Sequence, residues 1–89
     1  MSKWKMNSAD FYDILNNQDC KCSYTGIELT PDNTRISHKT PLKKGGKHEA
    51  NNVELVHSSI ANFVRDHSRD EVFDLCKQIV EYMENHERD

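Results

Sequence analysis

Two histidines and the loop between them carry most of the chemically useful side chains of this 89-residue chain. His38 ends a short β-like run, and His57 follows a second apolar run. The loop between them, residues 39–51, holds four lysines and the pair Gly45-Gly46. An imidazole is largely neutral near pH 7 and can take a proton from water, while lysines attract phosphate. This combination suits a small metal-dependent site that acts on nucleic acid.

Local patterns predict the elements that must position these side chains. Residues 8–16 read as a first helix, which Ser8 can cap. Arg35–His38 and Val53–Val56 read as two strands, and the proline at 41 stops the first from continuing. A short helix is expected from Ser58 or Ser59 to about Arg65, directly after the second strand.

A C-terminal helix is predicted over about residues 68–86. Ser68 and Glu71 have the spacing of a capping box, in which each side chain binds the other residue's backbone N–H. Apolar residues recur at helical spacing at Val72, Phe73, Cys76, Ile79, Val80 and Met83. We therefore expect one face of this helix to belong to the core and the rest to be acidic.

Length and composition indicate one domain, residues 1–89, with a core of about residues 20–66. Apolar residues make up 35% of the chain, so the core is small, and a metal or a partner is expected to support it. No apolar stretch approaches the roughly 20 residues that span a membrane. The N-terminus lacks the apolar block of a signal peptide. We expect a soluble cytoplasmic protein with no membrane partner.

The charges are unevenly distributed. The net charge of −3 by itself disfavours a nucleic-acid binder. Residues 1–69 hold ten Lys and Arg against eight Asp and Glu, a balance of +2, whereas residues 70–89 hold two against seven, a balance of −5. Because the negative charge is concentrated in the tail, the lysine loop can still present a positive surface.

The three cysteines predict no disulfide framework, because their number is odd. Cys20 and Cys22 are separated by one residue, and the paired C-x-x-C motifs of a zinc ribbon are missing from the sequence. We expect free thiols that are buried or half-buried. A small zinc-stabilised domain that uses Cys20, Cys22 and a histidine remains an alternative.

From Cys22 to about Cys76 the chain resembles the HNH nucleases, the His-Me finger family built on a ββα-metal motif. The matching segments are CSYTG at 22–26, ISH at 36–38, PLKKGG at 41–46 and NVELVH at 52–57. The ending DHS at 66–68, followed by a helix, resembles a phage-type branch. The resemblance implies an α+β fold, a phage or bacterial host cell, and DNA as substrate. It also implies a divalent metal ion, Mg²⁺ or Mn²⁺, with Zn²⁺ or Ni²⁺ as further options.

The resemblance also implies roles for single residues. His38 matches the general base that deprotonates the attacking water, and Asn52 matches the asparagine that holds the loop and orients the base. Ser37 and His57 match positions where relatives have metal ligands. His57 could instead only cap or orient the following helix. Ala61, one helical turn after His57, occupies the position of the last metal ligand.

Ala61 departs from the family pattern, because alanine has no donor atom. This chain is therefore expected to be an impaired nuclease, through either an engineered or a natural substitution. Asn62 could replace the missing ligand only if the helix shifted its register. The alternative is a non-catalytic module that keeps the fold for binding DNA or protein.

DNA contact is expected from basic residues near His38. These are Arg35, Lys39, Lys43, Lys44, Lys47 and Arg65. Such residues fix position on phosphates without reading sequence. Arg65 could instead pair with Asp66 or Asp70. His48 and His67 are expected at the surface, and a homodimer and the choice between nicking and double-strand cleavage stay open.

Overall fold

A two-stranded antiparallel hairpin stands at the centre of the fold. In the computed structural model, which describes residues 4–86, β1 (Thr34–His38) pairs with β2 (Val53–His57). His38 lies opposite Val53, and Thr34 lies opposite His57. The two predicted strands are confirmed, each longer than expected by one residue. Two short 3₁₀ turns, Leu42–Lys44 and Ala50–Asn52, lie in the loop that joins them.

Three helices complete this α+β fold: α1 (Ser8–Asn17), α2 (Ser58–Arg65) and α3 (Arg69–His86). Their predicted positions are confirmed, but the predicted cap of α1 is wrong by one residue. Asn7 caps it, because its Oδ1 accepts the Asp10 N–H at 2.8 Å, and the Asp10 carboxylate accepts the Asn7 N–H at 3.2 Å. In the described part of the chain, no helix has the length and apolar character to cross a membrane.

The core lies on both sides of β2. Its buried members are Cys22, Leu29, Leu55, Val56, Val64 and Val72. Apolar residues of α1 and α2 pack against this cluster, so β2 is covered on both faces. The Gln18 side chain fastens α1 to β2: its Nε2 donates to the Leu55 carbonyl, and its Oε1 accepts the Leu55 N–H, both at 2.9 Å.

The start of α3 follows the prediction, but its apolar face does not. Ser68 N–H donates to Glu71 Oε1 at 2.9 Å and Glu71 N–H to Ser68 Oγ at 3.3 Å, which confirms the capping box. Val72 is the one buried residue of α3. The other five residues expected in the core, Phe73, Cys76, Ile79, Val80 and Met83, are exposed. A helical stripe indicates that a face is apolar without indicating what covers it.

Candidate functional site

His38 ends β1 and is half-buried beside the loop. Burial lowers the pKa of its imidazole below the ordinary value of 6.5, and the positive charge of a neighbouring histidine, His48, lowers this pKa further. The neutral ring therefore dominates near pH 7, and a neutral ring is the form that can accept a proton from water. The general-base role of His38 stays a prediction.

His48 contacts His38 directly, and no sequence pattern predicted this contact. Its Nδ1 lies 3.0 Å from His38 Nε2, and the two rings are 5.2 Å apart. On its other side, the His48 ring meets the Trp4 ring at 4.9 Å. His48 is exposed, as expected, but it occupies the ring nitrogen of His38 that faces the loop. For His38 Nε2 to accept a proton from water, water must first replace His48.

Asn52 ties the loop that follows His38. Its Oδ1 accepts the Thr40 N–H at 2.9 Å, and its Nδ2 donates to the carbonyls of Thr40 at 3.1 Å and Lys47 at 2.7 Å. Gly46 lies so close to this link that an added Cβ would come within 1.9 Å of the Thr40 carbonyl oxygen. The side chain thus joins both ends of the segment 40–47, which agrees with the loop-holding role predicted for Asn52.

His57 caps α2. This capping role was the alternative to the predicted metal-binding role. Its Nδ1 accepts the Ser59 N–H at 3.0 Å and lies 2.7 Å from Ser59 Oγ. A backbone N–H can only donate, so Nδ1 carries no proton and the neutral ring holds its proton on Nε2. A metal would need an unprotonated ring nitrogen. His57 can therefore bind a metal only if this cap is given up.

Ser37 and Ala61 do not join His57 in one cluster. Ser37 pairs with Glu54, and since side chains alternate along a strand, its side chain lies on the sheet face opposite His38, although the residue also lines the cavity beside His38. It is buried, and its Oγ has no hydrogen-bond partner within the described residues. Ala61 is half-buried against the hydrophobic core. As arranged here, these positions do not supply a ready donor set for a metal.

The predicted basic residues fall into separate groups. Lys43 and Arg65 line a cavity of about 370 Å³ together with His38. Asp66 lines it too, with Oδ1 at 3.2 Å from Lys43 Nζ and 3.8 Å from Arg65 Nε. Among the described residues that line this cavity, Asp66 is the one carboxylate. It is therefore the side chain in the cavity that could best supply an oxygen ligand to a metal ion. Arg65 pairs with Asp66, which was one of the two alternatives for it, and it also lines the cavity; its contact with DNA stays a prediction.

The other cations lie elsewhere. Lys44 Nζ pairs with Glu71 at 2.9 Å, and Lys39 lines a second cavity, which Glu54 and Arg69 also line. Arg35 lies opposite Val56, on the face away from His38, and its guanidinium donates to the carbonyls of Asp32 and Thr34. Lys47 is exposed, and its carbonyl accepts from Asn52. The loop thus presents its charge in several directions.

A buried carboxylate that lines this second cavity was not foreseen. Glu54 is 2% exposed, and Arg69 Nη1 donates to its Oε1 at 2.5 Å. The same guanidinium donates to the Ser23 carbonyl at 3.3 Å and lies 4.5 Å from the centre of the Tyr24 ring. Burial raises the pKa of Tyr24 to about 12, and the negative charge of Glu54 contributes to the shift. Arg69 therefore fastens the start of α3 to β2.

The cysteines are free, as predicted. The predicted burial is confirmed for Cys22 but is wrong for Cys20 and Cys76, which are exposed. Among residues 4–86, no three His, Cys, Asp or Glu side chains are grouped closely enough to hold a metal ion. No family model, curated protein or solved structure gives a significant match to this chain.

Proposed function

We propose that this chain carries the ββα frame of an HNH nuclease and that its parent activity is metal-dependent hydrolysis of DNA phosphodiester bonds. The observation that carries the proposal is the cavity where His38, with its lowered pKa, lies beside Lys43 and Arg65. A neutral base next to two cations suits the attack of water on a phosphodiester.

Each of these residues has a defined task in such a reaction. His38 accepts the proton of the attacking water once His48 has moved off its Nε2. Lys43 and Arg65 bind phosphate oxygens and hold the scissile bond near His38. Asn52 keeps the loop in place during these contacts.

A divalent metal ion, when bound, neutralises charge on the phosphate and on the leaving oxygen. The positions predicted to hold it do not fit that task in this chain. Ala61 has no donor atom, Ser37 lies on the other face of the hairpin, and the free lone pair of His57 is used by its cap. We therefore infer that the chain as given is inactive or weakly active.

The test restores the missing donor. Ala61→Asn and Ala61→His should nick supercoiled plasmid DNA in Mg²⁺ or Mn²⁺, while the parent chain should leave it largely intact. Adding His38→Ala to either variant should abolish the nicking. If both variants bind metal, measured by calorimetry, and leave the plasmid intact in Mg²⁺, Mn²⁺, Zn²⁺ and Ni²⁺, the nuclease proposal is wrong.

A non-catalytic binding module is the second candidate, and the packing of Ala61 against the core favours it. This candidate predicts that His38→Ala leaves DNA affinity unchanged and that Lys43→Ala weakens it. Binding through phosphates should also weaken steeply with added salt. Fluorescence anisotropy with a labelled duplex distinguishes the two candidates, provided the Ala61 variants are assayed for cleavage alongside.

A further inference from the structure

Most of α3 lies outside the packed body of the protein. Every residue from Cys76 to His86 is exposed. Its ion pairs with other elements, Arg69 to Glu54 and Glu71 to Lys44, come from its first turn. A helix of this length is marginal in water unless an apolar face is packed against something. The exposed part of α3 therefore requires a surface to cover it.

The apolar residues of α3 form a continuous seam. Phe73, Cys76, Val80 and Met83 are spaced alternately by three and four residues, the a and d spacing of a coiled coil, and Ile79 flanks them. Phe73 is 65% exposed, Val80 52%, and Ile79 and Met83 49% each. These four side chains expose about 400 Å² together, which is the size of the largest apolar patch on a typical monomer, and such patches often have a binding role.

We propose that a second copy of this chain covers this seam, with the two α3 helices packed antiparallel. Two such faces would bury about 800 Å² of apolar surface. Because homodimer interfaces are about 65% apolar, the whole interface would cover roughly 1,200 Å², which is the lower end of stable interfaces. The area thus suffices for a specific dimer.

The spacing of the seam is symmetric, as a two-fold interface requires. Phe73 and Met83 lie five residues on either side of Gln78, and Cys76 and Val80 lie two residues on either side. A two-fold axis at the height of Gln78, on the seam side of the helix, therefore brings Phe73 against the partner's Met83, and Cys76 against the partner's Val80. All four residues of this seam on one helix thus face an apolar residue on the other helix.

An apolar cavity decides the orientation of the pair. A cavity of about 480 Å³ lies between α2 and the first half of α3, and Phe63, Val64, Phe73 and Cys76 are among its lining residues. In an antiparallel pair, the second half of the partner's α3 lies over this cavity. In a parallel pair the first half would lie there, and the two folded bodies would compete for the same space.

Charge excludes DNA as a good occupant of this face. The remaining surface of α3 carries acidic side chains, including Asp74, Glu81 and Glu84, with Lys77 as the one lysine. Phosphates would be repelled by this surface. Two acidic α3 helices also repel each other, so added salt should strengthen their apolar contact by screening this repulsion. The apolar seam and its spacing, and not the charge around it, therefore support a second copy.

The oligomeric state of the full chain tests the proposal. Sedimentation equilibrium should show a concentration-dependent dimer. Val80→Asp should weaken association by about a hundredfold, because two valines leave the interface and two carboxylates enter it. Gln78→Asp, which adds the same charge on the outer face, should change it less than about threefold. A chain that stays monomeric at millimolar concentration, or equal effects of the two substitutions, would overturn the dimer.

Cross-linking tests the orientation. In a Cys20→Ser background, the antiparallel pair keeps the two Cys76 thiols apart, so mild oxidation should give no covalent dimer. Adding Val80→Cys should give a covalent dimer linked between Cys76 and the new thiol at position 80. Rapid dimer formation through Cys76 alone would instead show a parallel pair and overturn the antiparallel arrangement. Neither readout involves DNA, so the result is independent of the nuclease proposal.

Discussion

Replacing Arg69 with methionine should strongly destabilise the fold, because Arg69 neutralises a carboxylate that water cannot reach. Arg69→Met keeps an unbranched side chain over the Tyr24 ring but removes the guanidinium from Glu54 Oε1. Glu54 would remain buried at 2% exposure. Its other oxygen, Oε2, already has no hydrogen-bond partner within the described residues. The substitution would therefore leave a buried charge without compensation.

The size of the effect follows from the exposed fractions of the Glu54 and Arg69 side chains. Removing one partner from a fully buried ion pair costs about 3–5 kcal/mol. The Arg69 side chain is 48% exposed, so solvent already screens part of the interaction. We therefore expect a loss of about 2–3 kcal/mol in the free energy of unfolding. This is a large share of the stability of so small a domain.

Urea denaturation followed by circular dichroism measures this loss. Arg65→Met is the matched control, because Arg65 is exposed and its Nε lies as far as 3.8 Å from Asp66 Oδ1. This substitution should lower the free energy of unfolding by less than about 0.5 kcal/mol. Glu54→Gln in the Arg69→Met background should recover part of the loss, because it removes the uncompensated charge. Equal stabilities for the two arginine variants, or no recovery with Glu54→Gln, would refute this reasoning.

Two further predictions concern the loop and the capping box. Asn52→Asp keeps an acceptor for the Thr40 N–H but loses both donated hydrogen bonds, so it should cost about 1–3 kcal/mol in urea unfolding, while Asn51→Asp should cost little. The Ser68 N–H, and then Lys44, hold the pKa of Glu71 below its ordinary value of 4.5. Its charge therefore stabilises the fold above about pH 4.5, and this contribution is lost as the pH falls through the lowered pKa. The stability difference between the parent and Glu71→Gln should shrink over that range, and a difference independent of pH would contradict this account.

Local signals in the sequence predicted the elements well. The two strands, the short helix after them and the capping box of α3 each depend on residues within a few positions of one another. Asn7 shows the limit of such signals, because Asn7 and Ser8 are both good caps and only the backbone decides between them. Local sequence signals thus predict that an element is present more reliably than they predict the residue at which it begins.

Contacts across the chain could not be predicted in the same way. His48 reaches His38 because of the path taken by the loop, and Glu54 is buried because Arg69, fifteen residues later, folds back onto it. The apolar stripe of α3 was expected in the core because a small domain needs every apolar face it has. That expectation failed where the helix runs past the body, since hydrophobic spacing does not specify the covering surface.

The two hydrogen bonds between the Gln18 side chain and the Leu55 backbone also affect solubility. Leu55 stands in the middle of β2, and its N–H and carbonyl point away from β1, towards the side where a further strand could pair. An unpaired strand edge is a template for aggregation. The Gln18 amide occupies both groups as a neighbouring peptide unit would. The Ser23 N–H donates to the same Leu55 carbonyl at 3.2 Å, so Gln18 and Ser23 together block the addition of a strand at the middle of β2, without a charged side chain.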